Sequence, residues 1–438
     1  MAALGAALLA SACAGGPAPA APAAPAAPAA VAPPAPLTTP AELTALYDAI
    51  RVPGLESRRF NHATYWRVME PYLGGTVSWT VAGHSAEGRE IRQLKFGSGP
   101  TTVLLWSQMH GDESTASMAL VDIVRFFREQ PNHPLARRIA EGATVYLVPM
   151  LNPDGAERFR RRNAQGIDVN RDARRLSTPE AQLLKKIDDE LKPAFGFNLH
   201  DQGAGTRVGR TNRGAAIALL TPAFNQARDV DAKRHRAMQV ASVVATAMRP
   251  LVTDHITKYD DTFNPRAFGD LIGAWGASTV LIESGGWEND PEKQYLRKTN
   301  FVGILSALDA IATGSYAGYD PKVYDNLESN GRRMPDLLIL GGTLAVPGIP
   351  TLQTDILVNY SDPLSKTGGT ISDIGDLEGT EAQDTLDARG LYLVPLPEAL
   401  DKLGGIDAGQ PARFIVAEDA QGLQVRYRFE GAFPKREN

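Results

Sequence analysis

Four segments of this chain are almost continuously apolar: 101–107 (TTVLLWS), 144–150 (TVYLVPM), 194–199 (AFGFNL) and 278–282 (STVLI). A strand with no polar face has to be covered on both sides, which a sheet achieves when helices pack on each of its faces. Helical signals fall between and around these runs, at 114–129, at 178–192 with Pro179 in the first turn, and at 222–248. A further helix is expected to open at Asp290-Pro291, an N-cap followed by a first-turn proline. This alternation predicts an α/β fold, a three-layer α/β/α arrangement around a mixed, mostly parallel sheet. A short helix is expected at 40–50.

The composition changes at both ends of that pattern. Residues 1–14 are small and apolar, too short a run to cross a bilayer as a mature helix, for which about 20 apolar residues are needed. They read as an export signal, of the simple secretory or the lipoprotein type, with Cys13 as the residue that would carry a lipid. Residues 15–40 are dominated by Ala and Pro and form a semi-rigid spacer, a tether that would hold the protein off a membrane on the periplasmic side. A catalytic domain is expected over 41–318. Beyond it, at 319–438, short β-prone runs at 337–340, 353–360 and 413–417 predict a small β-rich C-terminal domain. The last of these runs should pair as a hairpin with 423–429. None of the seven histidines lies in this domain, which makes it a poor candidate for chemistry.

The 438 residues include one cysteine, so any metal site within the chain must use His, Asp and Glu. With 45 Lys+Arg against 50 Asp+Glu the net charge is -5, which provides no overall field for a nucleic-acid backbone. No nucleic-acid partner is expected.

Each apolar run is followed by polar, reactive residues: His110-Gly111-Asp112-Glu113, Asn152-Pro153-Asp154-Gly155, His200-Asp201-Gln202 and Glu283-Ser284-Gly285-Gly286. In an open α/β sheet sites form outside the carboxyl ends of the strands, so all four motifs are expected in one crevice. His110 and Glu113 are three apart on a strand-to-helix turn and can share a cation with His200. Two imidazoles and one carboxylate suit zinc and leave a coordination position open for water. Water activated in this way needs a base, and Glu283, at the end of an apolar strand, has burial to raise its pKa. The basic stretch from Arg158 to Arg162, followed by Asn170-Arg171, reads as an anion-recognition segment.

Taken in order, these motifs resemble the zinc carboxypeptidases of the M14 metallopeptidase class, over residues 78–313. The resemblance implies one zinc per chain, bound by His110, Glu113 and His200, with Glu283 as general base and later as acid to the leaving amine. Asp168-Val169-Asn170-Arg171 matches the family's Asp-x-Asn-Arg signature. Asn170 and Arg171 would then hold the substrate's terminal carboxylate, and Asp168 would orient the His110 ring. Arg161 is the best match for the arginine that polarises the scissile carbonyl, with Arg160 as the alternative. Asp112 stands where digestive-type members carry an arginine inside H-x-x-E. Tyr259 lies in the region of the family's capping tyrosine. Phe268 and Asp270 are both candidates to line the side-chain pocket, one favouring apolar and the other basic substrate residues.

The function expected on these grounds is that of an exported zinc metallocarboxypeptidase. Alternatives within hydrolases are a deacylase of N-acyl amino acids and an amidase of peptidoglycan stem peptides; outside them, a tethered cell-envelope binding protein. The expected substrate in the hydrolytic readings is a peptide or acylated amino acid with a free carboxylate.

Overall fold

The structure, a computed structural model, describes residues 38–403, 405–433 and 435–436; the expected signal with Cys13, and the spacer up to residue 37, lie outside the described residues. The first strands are β1 (Ser78–His84), β2 (Glu90–Phe96), β3 (Thr101–Ser107), β4 (Ala143–Val148), β5 (Phe195–Asp201), β6 (Thr206–Val208), β7 (Ile217–Leu220), β8 (Ile256–Lys258), β9 (Ser278–Ser284) and β10 (Asn330–Arg333). All of these except β6 and β10 form one eight-stranded sheet in the order β1-β2-β4-β3-β5-β9-β7-β8. Its centre, β4-β3-β5-β9, is parallel, as is β7-β8, while the remaining pairs are antiparallel. The sheet is mixed and mostly parallel.

The helices are α1 (Pro40–Ile50), α2 (His62–Met69), α3 (Thr115–Glu129), α4 (Pro134–Gly142), α5 (Pro153–Glu157), α6 (Pro179–Leu191), α7 (Ala232–Met248), α8 (Phe268–Trp275) and α9 (Gln294–Thr313). Successive strand side chains point to opposite faces, and the central strands divide accordingly. Val103, Leu105, Phe197, Leu199, Val280 and Ile282 belong to one buried cluster, shared with α1, α3, α4, α7 and α9. Leu104 and Trp106 belong to a second, shared with α6 and α8. By the same alternation His200 and Glu283 lie on the α6/α8 face, out of register with the residues of the first cluster.

Two helices start differently from the sequence expectation. The 222–248 helix begins ten residues later, at α7. The buried Arg234 donates to the carbonyls of Thr221, Arg228 and Asp229, which holds that segment non-helical, and Asp231 caps the amides of Lys233 and Arg234. At α9 the N-cap position belongs to Lys293, in the left-handed region at φ 53°. Asp290 still serves the helix from upstream, accepting from the backbone N–H of Gln294, Tyr295 and Leu296. Arg297 on α9 and Asp122 on α3 form a fully buried, two-pronged ion pair at 2.6 and 2.7 Å. Arg297 also donates to the carbonyls of Val52 and Leu55. This pins the loop after α1 to the helical layer.

The C-terminal part forms a second eight-stranded sheet from β11 (Leu337–Leu344), β12 (Leu352–Asp362), β13 (Thr367–Gly375), β14 (Asp384–Asp387), β15 (Tyr392–Pro395), β16 (Arg413–Ala417), β17 (Val425–Glu430) and β18 (Lys435–Arg436). The β16-β17 hairpin forms as the sequence predicts. The described residues belong to one compact unit. Arg58 and Arg59 both pair with Asp362 on β12, tying the second sheet to the first part of the chain.

Candidate active site

The turn after β3 carries His110 and Glu113. Glu113 N–H donates to the His110 carbonyl at 3.1 Å, and the Gln108 side chain donates to the Gly111 carbonyl at 3.0 Å, so the turn is braced from within. Gly111 packs so tightly on Gly155 that a Cβ would lie 2.0 Å from the Gly155 carbonyl carbon, and only glycine fits. This corrects one expectation. The Asn152-to-Gly155 motif supports the turn instead of lining the cleft, because the Asn152 amide donates to the Met109 carbonyl at 3.1 Å and Asp154 is buried against Ser85 and Arg89.

His200 and Glu283 also differ from the expectation of residues just past their strands. Both lie within the ladders, near the ends of β5 and β9, and are paired with each other across the adjoining parallel strands. The ladder extends this far because Asp201 and Ser284 are still paired. Both side chains therefore reach the same cleft from the same sheet face.

The carboxylate of Glu113 holds the two imidazoles together. Its Oε1 lies 2.7 Å from His110 Nδ1 and its Oε2 2.6 Å from His200 Nδ1, and one ligand atom from each of the three residues lies within 4.8 Å of the other two. Burial opposes ionisation of Glu113, but the two imidazoles outweigh it and hold its pKa well below the ordinary range. Burial likewise opposes the charged form of His110, yet Glu113 and Asp168 raise it to about 9; for His200 burial prevails and lowers it. The donor set fits a zinc ion: two nitrogens and one carboxylate, converging, buried and fewer than four, with both Nδ1 atoms turned inward.

Around this cluster, Asp168 accepts from three directions. Its Oδ1 lies 3.0 Å from His110 Nε2 and takes the Asn170 N–H at 2.9 Å, while its Oδ2 takes Arg161 Nε at 3.0 Å. His110 and Arg161 together overcome burial and depress the Asp168 pKa. Arg161 Nη1 reaches Glu113 Oε1 and His110 Nδ1, both at 3.1 Å. Arg160 is exposed and does not line the cleft. Asn170 is buried, with Nδ2 3.4 Å from His200 Nε2 and Oδ1 accepting the Phe268 N–H that opens α8. Arg171 lines the cleft. Burial and the negative charge of Glu113 push the Glu283 pKa well above its usual value. Among the described residues Glu283 has no ion-pair partner.

The cleft itself is about 790 Å³ and includes Tyr259 and Asp270. Phe268 is fully buried and packs edge-on against Trp275, so of the two pocket candidates only Asp270 faces the cleft. Burial raises the Asp270 pKa to about 6, against the Asn264 N–H, Arg171 and Arg234. Gln202 lines the cleft as its motif predicts, whereas sequence reasoning missed Thr206, Asn330 and Gly331, which also line it. Asn330 and Gly331 lie beyond the expected domain boundary, and no local pattern signals that they return.

A family model described as zinc carboxypeptidase matches residues 64–211. Carboxypeptidase 2 of Trichophyton rubrum is 25% identical over 201 residues, covering 40% of this chain and 37% of that protein. The chain therefore spans well under half the length of that curated relative. Among solved structures, a metallo-carboxypeptidase from Burkholderia cenocepacia superposes with a TM-score of 0.45 at 17% identity, over 58% of this chain and 68% of that one. One from Pseudomonas aeruginosa gives 0.47 at 19%, over 60% and 71%.

Proposed function

From the premise that the chain belongs, through residues 64–211, to the zinc carboxypeptidase family, we propose that it is a zinc-dependent metallocarboxypeptidase acting on the C-terminal amide bond of peptides. One observation carries the reading. Donor atoms of His110, Glu113 and His200 converge within 4.8 Å, and Glu283 is the in-register neighbour of His200 in the same cleft.

His110, Glu113 and His200 would hold one zinc ion, which when bound supplies Lewis acidity toward a carbonyl oxygen and makes water easier to deprotonate. Glu283 accepts the proton of the attacking water and returns it to the nitrogen of the leaving amine. Its raised pKa suits both halves of that task, because a strongly acidic carboxyl would be a weak base and a reluctant partner in proton transfer. Arg161 donates to the carbonyl oxygen as negative charge grows there, and Asp168 holds the guanidinium in place for it. Asn170 and Arg171 bind the terminal carboxylate, Arg171 through its planar fork of donors. Tyr259 closes over the bound residue. Asp270, ionised above about pH 6, favours a cationic side chain at the cleaved position.

Export and a lipid tether at Cys13 belong to the same proposal, and mass spectrometry of the mature N-terminus tests them. The test of the chemistry is Glu283→Gln. The variant should bind zinc as the parent does while losing at least about a hundredfold in kcat on a blocked dipeptide, in line with the usual contribution of a general base. Undiminished turnover removes Glu283 from the mechanism. Running the assay beside N-acetyl amino acids and muropeptides separates the carboxypeptidase reading from its hydrolase alternatives.

A further inference from the structure

One side of the cleft takes no part in the chemistry above. Gln202, Gly203 and Thr206, just beyond β5, line it together with Asn330 and Gly331 of β10. β10 reaches this place by antiparallel pairing with β6, Asn330 opposite Val208 and Arg333 opposite Thr206. Met334 N–H adds a bond to the Gly205 carbonyl at 2.8 Å. The two backbones approach so closely that a Cβ on Gly331 would sit 1.8 Å from the Gly209 carbonyl oxygen. A glycine in a strand often marks such a close approach, and here it brings the C-terminal part of the chain against the cleft.

The hydrogen bonds of this wall leave donors to spare. Asn330 Oδ1 accepts from Thr257 Oγ1 at 2.5 Å, and Asn330 Nδ2 donates to Gln202 Oε1 at 2.7 Å. Gln202 Nε2 in turn donates to the Ala215 carbonyl at 3.4 Å. A primary amide nitrogen carries two N–H groups, so each of these side chains keeps one N–H beyond the bond it donates here. The wall is held from behind by the second sheet's connections. Glu381 accepts from Arg207 at 3.3 Å and Asn212 at 3.0 Å, and the Gln383 amide donates to Asp336 at 2.8 Å. Neutral N–H donors match carbonyl oxygens of a peptide backbone, in contrast to the guanidinium of Arg171, which matches a carboxylate.

We propose that Asn330 and Gln202 form a subsite for the backbone of the substrate residues on the amino side of the scissile bond. The C-terminal part of the chain is then a wall of the active site, and it tilts preference toward peptides over single acylated amino acids. This rests on the hydrolytic reading above.

The experiment uses the full chain with zinc and three substrates that share one C-terminal residue: an N-acetyl amino acid, a blocked dipeptide and a blocked tetrapeptide. Asn330→Ala and Asn330→Asp are compared with the parent. Asp keeps the shape and the acceptor for Thr257 but removes both Nδ2 donors, the one to Gln202 Oε1 and the spare one, so it remains informative if the Ala variant does not fold. One lost hydrogen bond corresponds to a change of about threefold to tenfold in affinity. The expected result is a KM increase of that size for the dipeptide and tetrapeptide, with kcat little changed and a clearly smaller KM increase for the N-acetyl amino acid. An equal increase for all three substrates, or none for any, overturns the subsite. A parent protein that cleaves none of the three refutes the hydrolytic reading instead.

Discussion

Removing the carboxylate of Asp168 should separate three tasks that meet on one side chain. Asp168 receives His110 Nε2 at 3.0 Å, Arg161 Nε at 3.0 Å and the Asn170 backbone N–H at 2.9 Å. The first contact fixes the imidazole so that Nδ1 faces the metal position, and losing such a partner weakens metal binding by about 10–100-fold, or about 1.4–2.8 kcal/mol. The second is a half-exposed pair, since the Arg161 side chain is 43% exposed, and solvent screening limits its contribution to about 1 kcal/mol or less. The third anchors the turn that presents Asn170 and Arg171. Asp168→Asn keeps an acceptor for the imidazole and the amide but loses the charge facing Arg161; Asp168→Ala loses all three contacts. In a chelator-competition titration the zinc Kd should therefore rise by about tenfold or less for Asn and by about 10–100-fold for Ala. With zinc saturating, kcat should fall in both variants, while KM for substrates with a free carboxylate should rise clearly only in Ala. An Ala variant that binds zinc as tightly as the parent with unchanged KM would refute this account of Asp168.

Further outcomes can be checked independently. Because the Asp270 pKa is raised to about 6, the carboxyl is mostly neutral at pH 5 and mostly ionised at pH 7.5; the ratio of kcat/KM for a C-terminal Lys over a C-terminal Leu should rise across that interval and become pH-independent in Asp270→Asn. A ratio that stays flat in the parent removes Asp270 from side-chain recognition. Arg297→Met leaves Asp122 charged and buried without its partner, so urea unfolding should show a loss of about 3–5 kcal/mol, much of it recovered in the Arg297→Met/Asp122→Leu double variant. His200→Ala should lower the zinc content of the purified protein from about one per chain to near zero, because two remaining donors do not complete a zinc site. Zinc retained at parental levels would contradict the ligand set.

The sequence by itself determined the central strands and the residues they deliver. Apolar runs of five to seven residues, alternating with helical patterns, suit a sheet covered on both faces, and in such α/β sheets strand ends converge, so His110, Glu113, His200 and Glu283 could be grouped from their positions alone. Other features depended on contacts between segments distant along the chain. The late start of α7 follows from Arg234 capturing carbonyls of the preceding loop, and the supporting role of Asn152 follows from the approach of Gly111 to Gly155. Neither leaves a periodic trace. Whether Phe268 or Asp270 faces the cleft turned on the orientation of α8, set by the bond from Phe268 N–H to Asn170. Asn330 shows the difference most clearly. It is about 130 residues from Gln202 and ordinary in its local context, and it reaches the cleft only because two short strands pair around a glycine. Local patterns record propensity and burial, whereas a partner this far away is selected by the packing of the finished fold.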